Sequence, residues 1–107
     1  MEYDLVNEMM QKSKELDNAI TQMRIAGIDY AKAHSKYRME LAKELLKLKA
    51  EGYAITLAGD IARGKQEIAE LKEKEVTSEV IYKTTKESIN ALKLQIKNLQ
   101  NHIDKEW

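Results

Sequence analysis

The chain predicts an all-α fold: two long helices in an antiparallel coiled-coil hairpin joined by a short helical turn. Three observations carry this expectation. Proline is absent and three of the four glycines, Gly52, Gly59 and Gly64, fall together, so the strongest helix breakers are confined to one place. Apolar or small side chains on both sides of that cluster recur at alternating steps of three and four, the pattern of a heptad seam. The charges of the two flanking arms complement each other when the chain is doubled back.

The first helix is expected over residues 4–51. Its seam runs Val6, Met9, Ser13, Leu16, Ile20, Met23, Gly27, Tyr30, His34, Tyr37 and Leu41, continued by Leu45 and Leu48 after a one-residue drift. At ~1.5 Å per residue such a helix is about 70 Å long. Gly52 suits the left-handed residue that closes it, because a residue without Cβ carries no penalty there. A turn and short helix follow over residues 52–64, with Thr56 as cap and Gly64 as stop. Ile55, Leu57 and Ile61 are expected to bury across the mouth of the hairpin as a lid. The second long helix, residues 65–106, has its seam at Ile68, Leu71, Glu75, Ser78, Tyr82, Thr85, Ile89, Leu92, Ile96, Leu99 and Ile103.

The turn contains GDIARGKQ, residues 59–66, which reads Gly-x-x-x-x-Gly-Lys like a phosphate-binding loop. A working loop of that type sits between a strand and a helix and follows its lysine with Ser or Thr to hold magnesium. Here Gln66 stands in the hydroxyl position, and both flanks have a helical period. Gly64 and Lys65 read as a helix stop and an exposed charge, and no cofactor is expected.

Residues 30–49 hold Lys32, Lys36, Arg38, Lys43, Lys47 and Lys49 against Glu40 and Glu44, whereas residues 67–79 hold Glu67, Glu70, Glu73, Glu75 and Glu79 against Lys72 and Lys74. Folding about residue 58 sets these stretches side by side. Exposed pairs contribute only ~0.2 to 1 kcal/mol each, so the pattern selects a register more than it stabilises. Ile89, Leu92, Ile96, Leu99 and Ile103 form the strongest apolar block and the candidate self-association surface. Val80, Ile81, Leu94, Met10, Ile25, Ile28, Met39 and Leu46 lie off the seam and need cover, which points to a homo-oligomer.

Other function classes find little here. Eighteen basic and eighteen acidic residues balance, so no global field draws the chain to nucleic acid or an anionic membrane. No signal peptide or membrane span is legible, and a cytoplasmic protein is expected. Cysteine is absent and His102 lies far from His34, so no metal site is expected. His34 reads as a half-buried histidine bonded to a tyrosine hydroxyl, near Tyr37 and Tyr82. Nothing assembles a nucleophile, a base and an orienting group, so no enzyme is expected. Nucleic acid is the stronger rival, through Arg24, Lys32, Lys36 and Arg38 interleaved with Tyr30 and Tyr37. Against it, the tyrosines can turn inward and leave a solvated face. Trp107 is read as a plug on the end of the hairpin or a free aromatic anchor.

The opening MEYDLVNEMMQKSKELDNAI, the core YAKAHSKYRMELAKELLKLKAEGYAITLAGDIARGK and the end ESINALKLQIKNLQNHIDKEW together resemble a family of small proteins from phages and prophages of Gram-positive bacteria. The resemblance implies an early gene in a region of recombination and single-strand-binding functions, and a place in the host cytoplasm. It assigns no activity to individual residues. Proteins of this kind act by binding, so the expected function is a helical protein-protein interaction module that modulates or inhibits a DNA-processing or host-defence protein, for example as an anti-CRISPR inhibitor. Tyr53, Leu57, Asp60 and Arg63 are its candidate partner-binding residues. The alternative is a nucleic-acid-binding accessory factor of phage recombination or replication.

Overall fold

A computed structural model of the chain describes residues 2–106. It comprises α1 (Glu2–Ala50), α2 (Ile55–Gly64) and α3 (Gln66–Glu106), with no strand among the described residues. The all-α hairpin class expected from the heptad pattern is therefore the one observed. Of residues 53–58, the stretch that would have to be a strand before the phosphate-loop pattern, residues 55–58 are helical and residues 53 and 54 belong to neither helix nor strand. Trp107, and with it the expectation of a plug, lies outside the described residues. The chain forms two compact units, Met1–Ala26 with Ile81–Trp107, and Gly27–Val80.

In the first unit the shielded positions of α3 are Tyr82, Thr85, Ile89, Leu92, Ile96, Leu99 and Ile103, with Ile89 and Ile103 buried. In the second they are Ile68, Leu71, Glu75, Ser78 and Glu79. Every seam position expected on α3 is thus shielded. On α1 four of the thirteen expected seam positions are displaced by one residue. Met9, Leu16, Met23, Gly27, Tyr30, Tyr37, Leu41, Leu45 and Leu48 are shielded as expected, but Val6, Ser13, Ile20 and His34 are exposed. Leu5, Lys12, Ala19 and Ala33 take their places, and Ala26 is buried beside Gly27.

The physical reason is the size of the alanines. Ala19 lines one groove with Thr85 and Leu92, and Ala33 lines another with Leu71 and Ser78. Ala26 and Ala33 are buried, and a side chain the size of Ile or His at such a position would need room that a close-packed seam does not offer. Tyr30, Tyr37, Ile68, Ile89 and Ile103 supply the bulk.

The chain reverses in the second unit. α1 ends on Gly52, whose φ of +99° is the one positive value among the described residues. Its N–H donates to the Lys49 carbonyl at 3.1 Å, and the Tyr53 N–H donates to Leu48 at 3.2 Å. Those two bonds make a Schellman closure and satisfy carbonyls that α1 would otherwise leave open. α2 begins without a side-chain cap: Thr56 lies inside the helix, and the Ala54 carbonyl accepts from the Ala58 N–H at 2.8 Å. Lys65, extended at ψ 139°, separates α2 from α3, and its carbonyl accepts the first α3 bond, from Ala69.

Interarm pairs locate the fold axis. Tyr30 bonds Glu79, His34 bonds Glu75, Lys72 lies over Tyr37, and Lys65 bonds Glu44. All four pairs are symmetric about the Ala54–Ile55 peptide bond. Doubling about residue 58 would have set Tyr37 opposite residue 79 instead of Lys72, a difference of one heptad. The expected axis at residue 58 treats the turn and short helix of residues 52–64 as one reversal centred between the arms. Only Glu51 to Ala54 make the turn, and α2 already belongs to the return path.

Substituting Gly52→Ala forces a Cβ onto a left-handed residue. No atom lies within 4 Å of the added carbon, so the cost is purely conformational. It is expected to lower stability by ~1 to 2 kcal/mol and shift thermal unfolding, followed by circular dichroism at 222 nm, to lower temperature. A variant that melts like the wild type would contradict the closure described above.

Candidate interaction surface

α2 is seated by its smallest side chains. Ala58 and Ala62 are fully shielded against Leu48, with Leu41, Leu45 and Ile61 packed at the edge. The lid expected from Ile55, Leu57 and Ile61 is therefore corrected: only Ile61 is half-buried, while Ile55 is 67% and Leu57 51% exposed. Alanines allow α2 to sit closer to α1 than isoleucine or leucine would, and the larger residues are left outside.

Steps of three residues keep Leu57, Asp60 and Arg63 on one side of α2, and all three are exposed. Tyr53, in the turn just before the helix, is also exposed. Arg63 Nη2 donates to Asp60 Oδ1 at 3.2 Å. Gly59 makes room for that pair, because a Cβ there would stand 3.0 Å from the Arg63 guanidinium. The four partner-binding candidates thus lie within one turn and one short helix, combining an aromatic ring, an aliphatic chain and both signs of charge. An exposed pair of this kind contributes little to folding, and its groups remain available to another molecule.

A second cluster lies between the arms. Glu75 is a buried carboxylate on the α3 seam, accepting from Lys72 Nζ at 2.9 Å and lying 3.1 Å from His34 Nδ1. The Lys72 ammonium also lies 4.9 Å from the centroid of the buried Tyr37 ring, a cation–π contact. Tyr30 donates its hydroxyl proton to Glu79 at 2.8 Å and meets the His34 ring edge-on. The hydrogen bond from Lys72 holds the Glu75 carboxyl below its ordinary range; burial opposes this, and the His34 bond adds to the lowering. Nearer the turn, Lys65 bonds the half-buried Glu44 and lowers its carboxyl likewise, while Lys65 itself is raised. His34 thus bonds a carboxylate and not the expected tyrosine hydroxyl, since the register brings Glu75 to it instead of Tyr82. Among the described residues no group of three His, Cys, Asp or Glu could hold a metal ion.

The basic face divides. Lys32 and Lys36 sit one turn apart and line a groove of about 380 Å³ with Lys74, Asp29, Ala33, Leu71 and Ser78. Arg38 follows Lys36 by two residues, about 200° around the helix, and points elsewhere; Arg24 belongs to the other unit. The rings of Tyr30 and Tyr37 face the seam and do not interleave with these cations. The self-association candidates lie on the shielded seam of α3. Ile89 and Ile103 are buried and Leu92, Ile96 and Leu99 half-buried within the protomer, whereas the off-seam residues Met10, Ile25, Ile28, Met39, Leu46, Val80, Ile81 and Leu94 are all exposed. Sequence reasoning missed the alanine seat of α2, although Ala58 and Ala62, four residues apart, were its signal.

Two outcomes follow from this geometry. Because the Glu75 carboxyl is lowered in the fold, its contribution is complete above the ordinary value of 4.5 and is lost as pH falls through the lowered value. Glu75→Gln should therefore cost ~1 to 3 kcal/mol at neutral pH, and the gap from the wild type should narrow in acid, read by urea unfolding from about pH 7 down to about pH 3. A gap independent of pH would refute the assignment. Gly59→Ala should strengthen α2 by up to ~1 kcal/mol while displacing Arg63 from Asp60, so that a higher Tm accompanies a changed surface.

No family model matches the sequence, and comparison with curated proteins and with solved structures found no match.

Proposed function

We propose that the protein is a non-enzymatic helical interaction module that binds a DNA-processing or host-defence protein and modulates or inhibits it, a CRISPR-type nuclease being one such target. The observation that carries this reading is the outward placement of Tyr53, Ile55 and Leu57 around a helix seated through alanines. Large side chains that could have filled the core are presented to solvent, next to the Asp60–Arg63 pair. Tyr and Arg, here Tyr53 and Arg63, are among the residue types enriched at interface hot spots. The class of partner rests on the resemblance to phage and prophage proteins, which also favours action in the host cytoplasm. No helix is long and apolar enough to cross a membrane.

The nucleic-acid reading keeps the Lys32, Lys36 and Lys74 groove but loses its stacking rings, because Tyr30 and Tyr37 are turned to the seam. Binding there would rest on phosphate contacts alone and fade steeply with salt.

Leu57→Arg combined with Arg63→Glu should weaken binding of the protein partner by at least about tenfold, a loss of ~1.4 kcal/mol or more, with the fold intact by circular dichroism. Retention of the partner by this variant, with DNA retention lost in Lys32→Glu/Lys36→Glu, would replace the proposal with the nucleic-acid one.

A further inference from the structure

The outer side of α1 in the second unit carries a second heptad stripe. Ile28, Lys32, Ser35, Met39, Ala42 and Leu46 follow one another at steps of four and three, and every one is exposed. At about 100° per residue they lie roughly half a turn from the shielded stripe of Tyr30, Ala33, Tyr37 and Leu41. Ile28, Met39 and Leu46 are 48%, 58% and 70% exposed. Met39 lines a shallow groove of about 390 Å³ with Ala31, Lys32, Ser35, Lys36 and Glu40. A helix with a shielded seam on one side and Ile28, Met39, Ala42 and Leu46, interrupted by Lys32 and Ser35, on the other can satisfy the first within its own hairpin and offer the second to a further helix.

The edges of the stripe state the charge of that helix. Lys36 and Lys43 flank it on one side, Arg38 on the other, and Lys32 lies within it, with Asp29 and Glu40 the acids alongside. Glu40 is held by Lys43 at 3.3 Å. Lys32, Lys36 and Arg38 have no ion-pair partner among the described residues.

We propose that this face docks an amphipathic partner helix with an apolar heptad seam and acidic flanking positions. Apolar side chains of the partner would cover Ile28, Met39 and Leu46, while its carboxylates meet Lys32, Lys36 and Arg38. A second copy applied through the same stripe brings these cations against their own like, which disfavours it. A nucleic acid would neutralise the cations but leave the apolar residues without a counterpart. The surface is separate from the exposed face of α2, so it does not depend on the function proposed above.

The test uses two fluorescein-labelled synthetic helical peptides of about three heptads, with Leu and Ile at a and d. One carries Glu at e and g, the other Lys. Anisotropy titration of the full chain should show binding of the acidic peptide, weakened by added salt, and no binding of the basic one. Met39→Glu/Leu46→Glu and Lys36→Glu/Arg38→Glu should each weaken the acidic peptide at least about tenfold, with unchanged circular dichroism because all four side chains are exposed. Leu57→Arg/Arg63→Glu should bind it like the wild type, which separates this surface from α2. Equal binding of both peptides, no binding of either, or indifference to Met39→Glu/Leu46→Glu overturns the proposal. Retention of a DNA duplex that is lost in Lys36→Glu/Arg38→Glu but kept in Met39→Glu/Leu46→Glu assigns the face to nucleic acid instead. A dimer in sedimentation that Met39→Glu/Leu46→Glu dissociates assigns it to a second copy.

Discussion

The closure of α1 at Gly52 is the constraint on which the rest of the second unit depends. A left-handed residue there turns the Gly52 and Tyr53 N–H groups back onto Lys49 and Leu48, ending the helix within one residue. The chain then needs only Glu51 to Ala54 to reverse. That short reversal sets the fold axis between Ala54 and Ile55, and the axis decides which side chain meets which. His34 finds Glu75, Tyr30 finds Glu79 and Tyr37 finds Lys72 because the turn is this tight.

Apolar packing alone could not have selected this register. A heptad seam looks the same after a slip of seven residues, so the aliphatic positions tolerate either alignment. The polar groups do not. A slip of one heptad would leave buried Glu75 without His34 and would take Lys72 from Tyr37. Glu75 would keep Lys72 on its own helix but lose the partner of its second oxygen, and a buried oxygen left without a partner costs more than an exposed pair contributes. The same cluster is anchored within α3 by Lys72, whose hydrogen bond keeps Glu75 ionised. A charge inside the seam is thus compatible with stability and acts as a marker of alignment.

Close approach by small residues has a consequence at the surface. Ala19, Ala26 and Ala33 on α1, and Ala58 and Ala62 on α2, occupy inward positions that larger residues could have filled. Aliphatic residues are then left on outward positions in number: Ile55 and Leu57 on α2, and Ile28, Met39 and Leu46 on α1. Exposed apolar groups scattered singly need no explanation, but Ile28, Met39 and Leu46 follow helical spacing, and both groups are bordered by charge. An arrangement of this kind suits a protein whose work is contact with other helices or protein surfaces.

Much of this was legible in the chain itself. The absence of proline, the clustered glycines and the two seams sufficed for the helices, for the glycine that closes α1 and for every inward position of α3 except Glu79. Ile89, Ile96 and Ile103 stand in a period that admits one face. Along α1 two stripes share Met9, Leu16, Met23, Tyr30 and Tyr37; hydrophobicity does not separate Val6 from Leu5, and it favours Ile20 over Ala19, the shielded residue. Choosing between them requires the partner arm, because an alanine gains its value from what approaches it and not from its own transfer free energy. The partner of His34, the seat of α2 and the outward turn of Leu57 were decided in the same way. Local sequence determined which residues are helical and where the chain bends; only the tertiary structure decided the register, since contacts across a hairpin are set by a turn whose effective length no periodicity encodes.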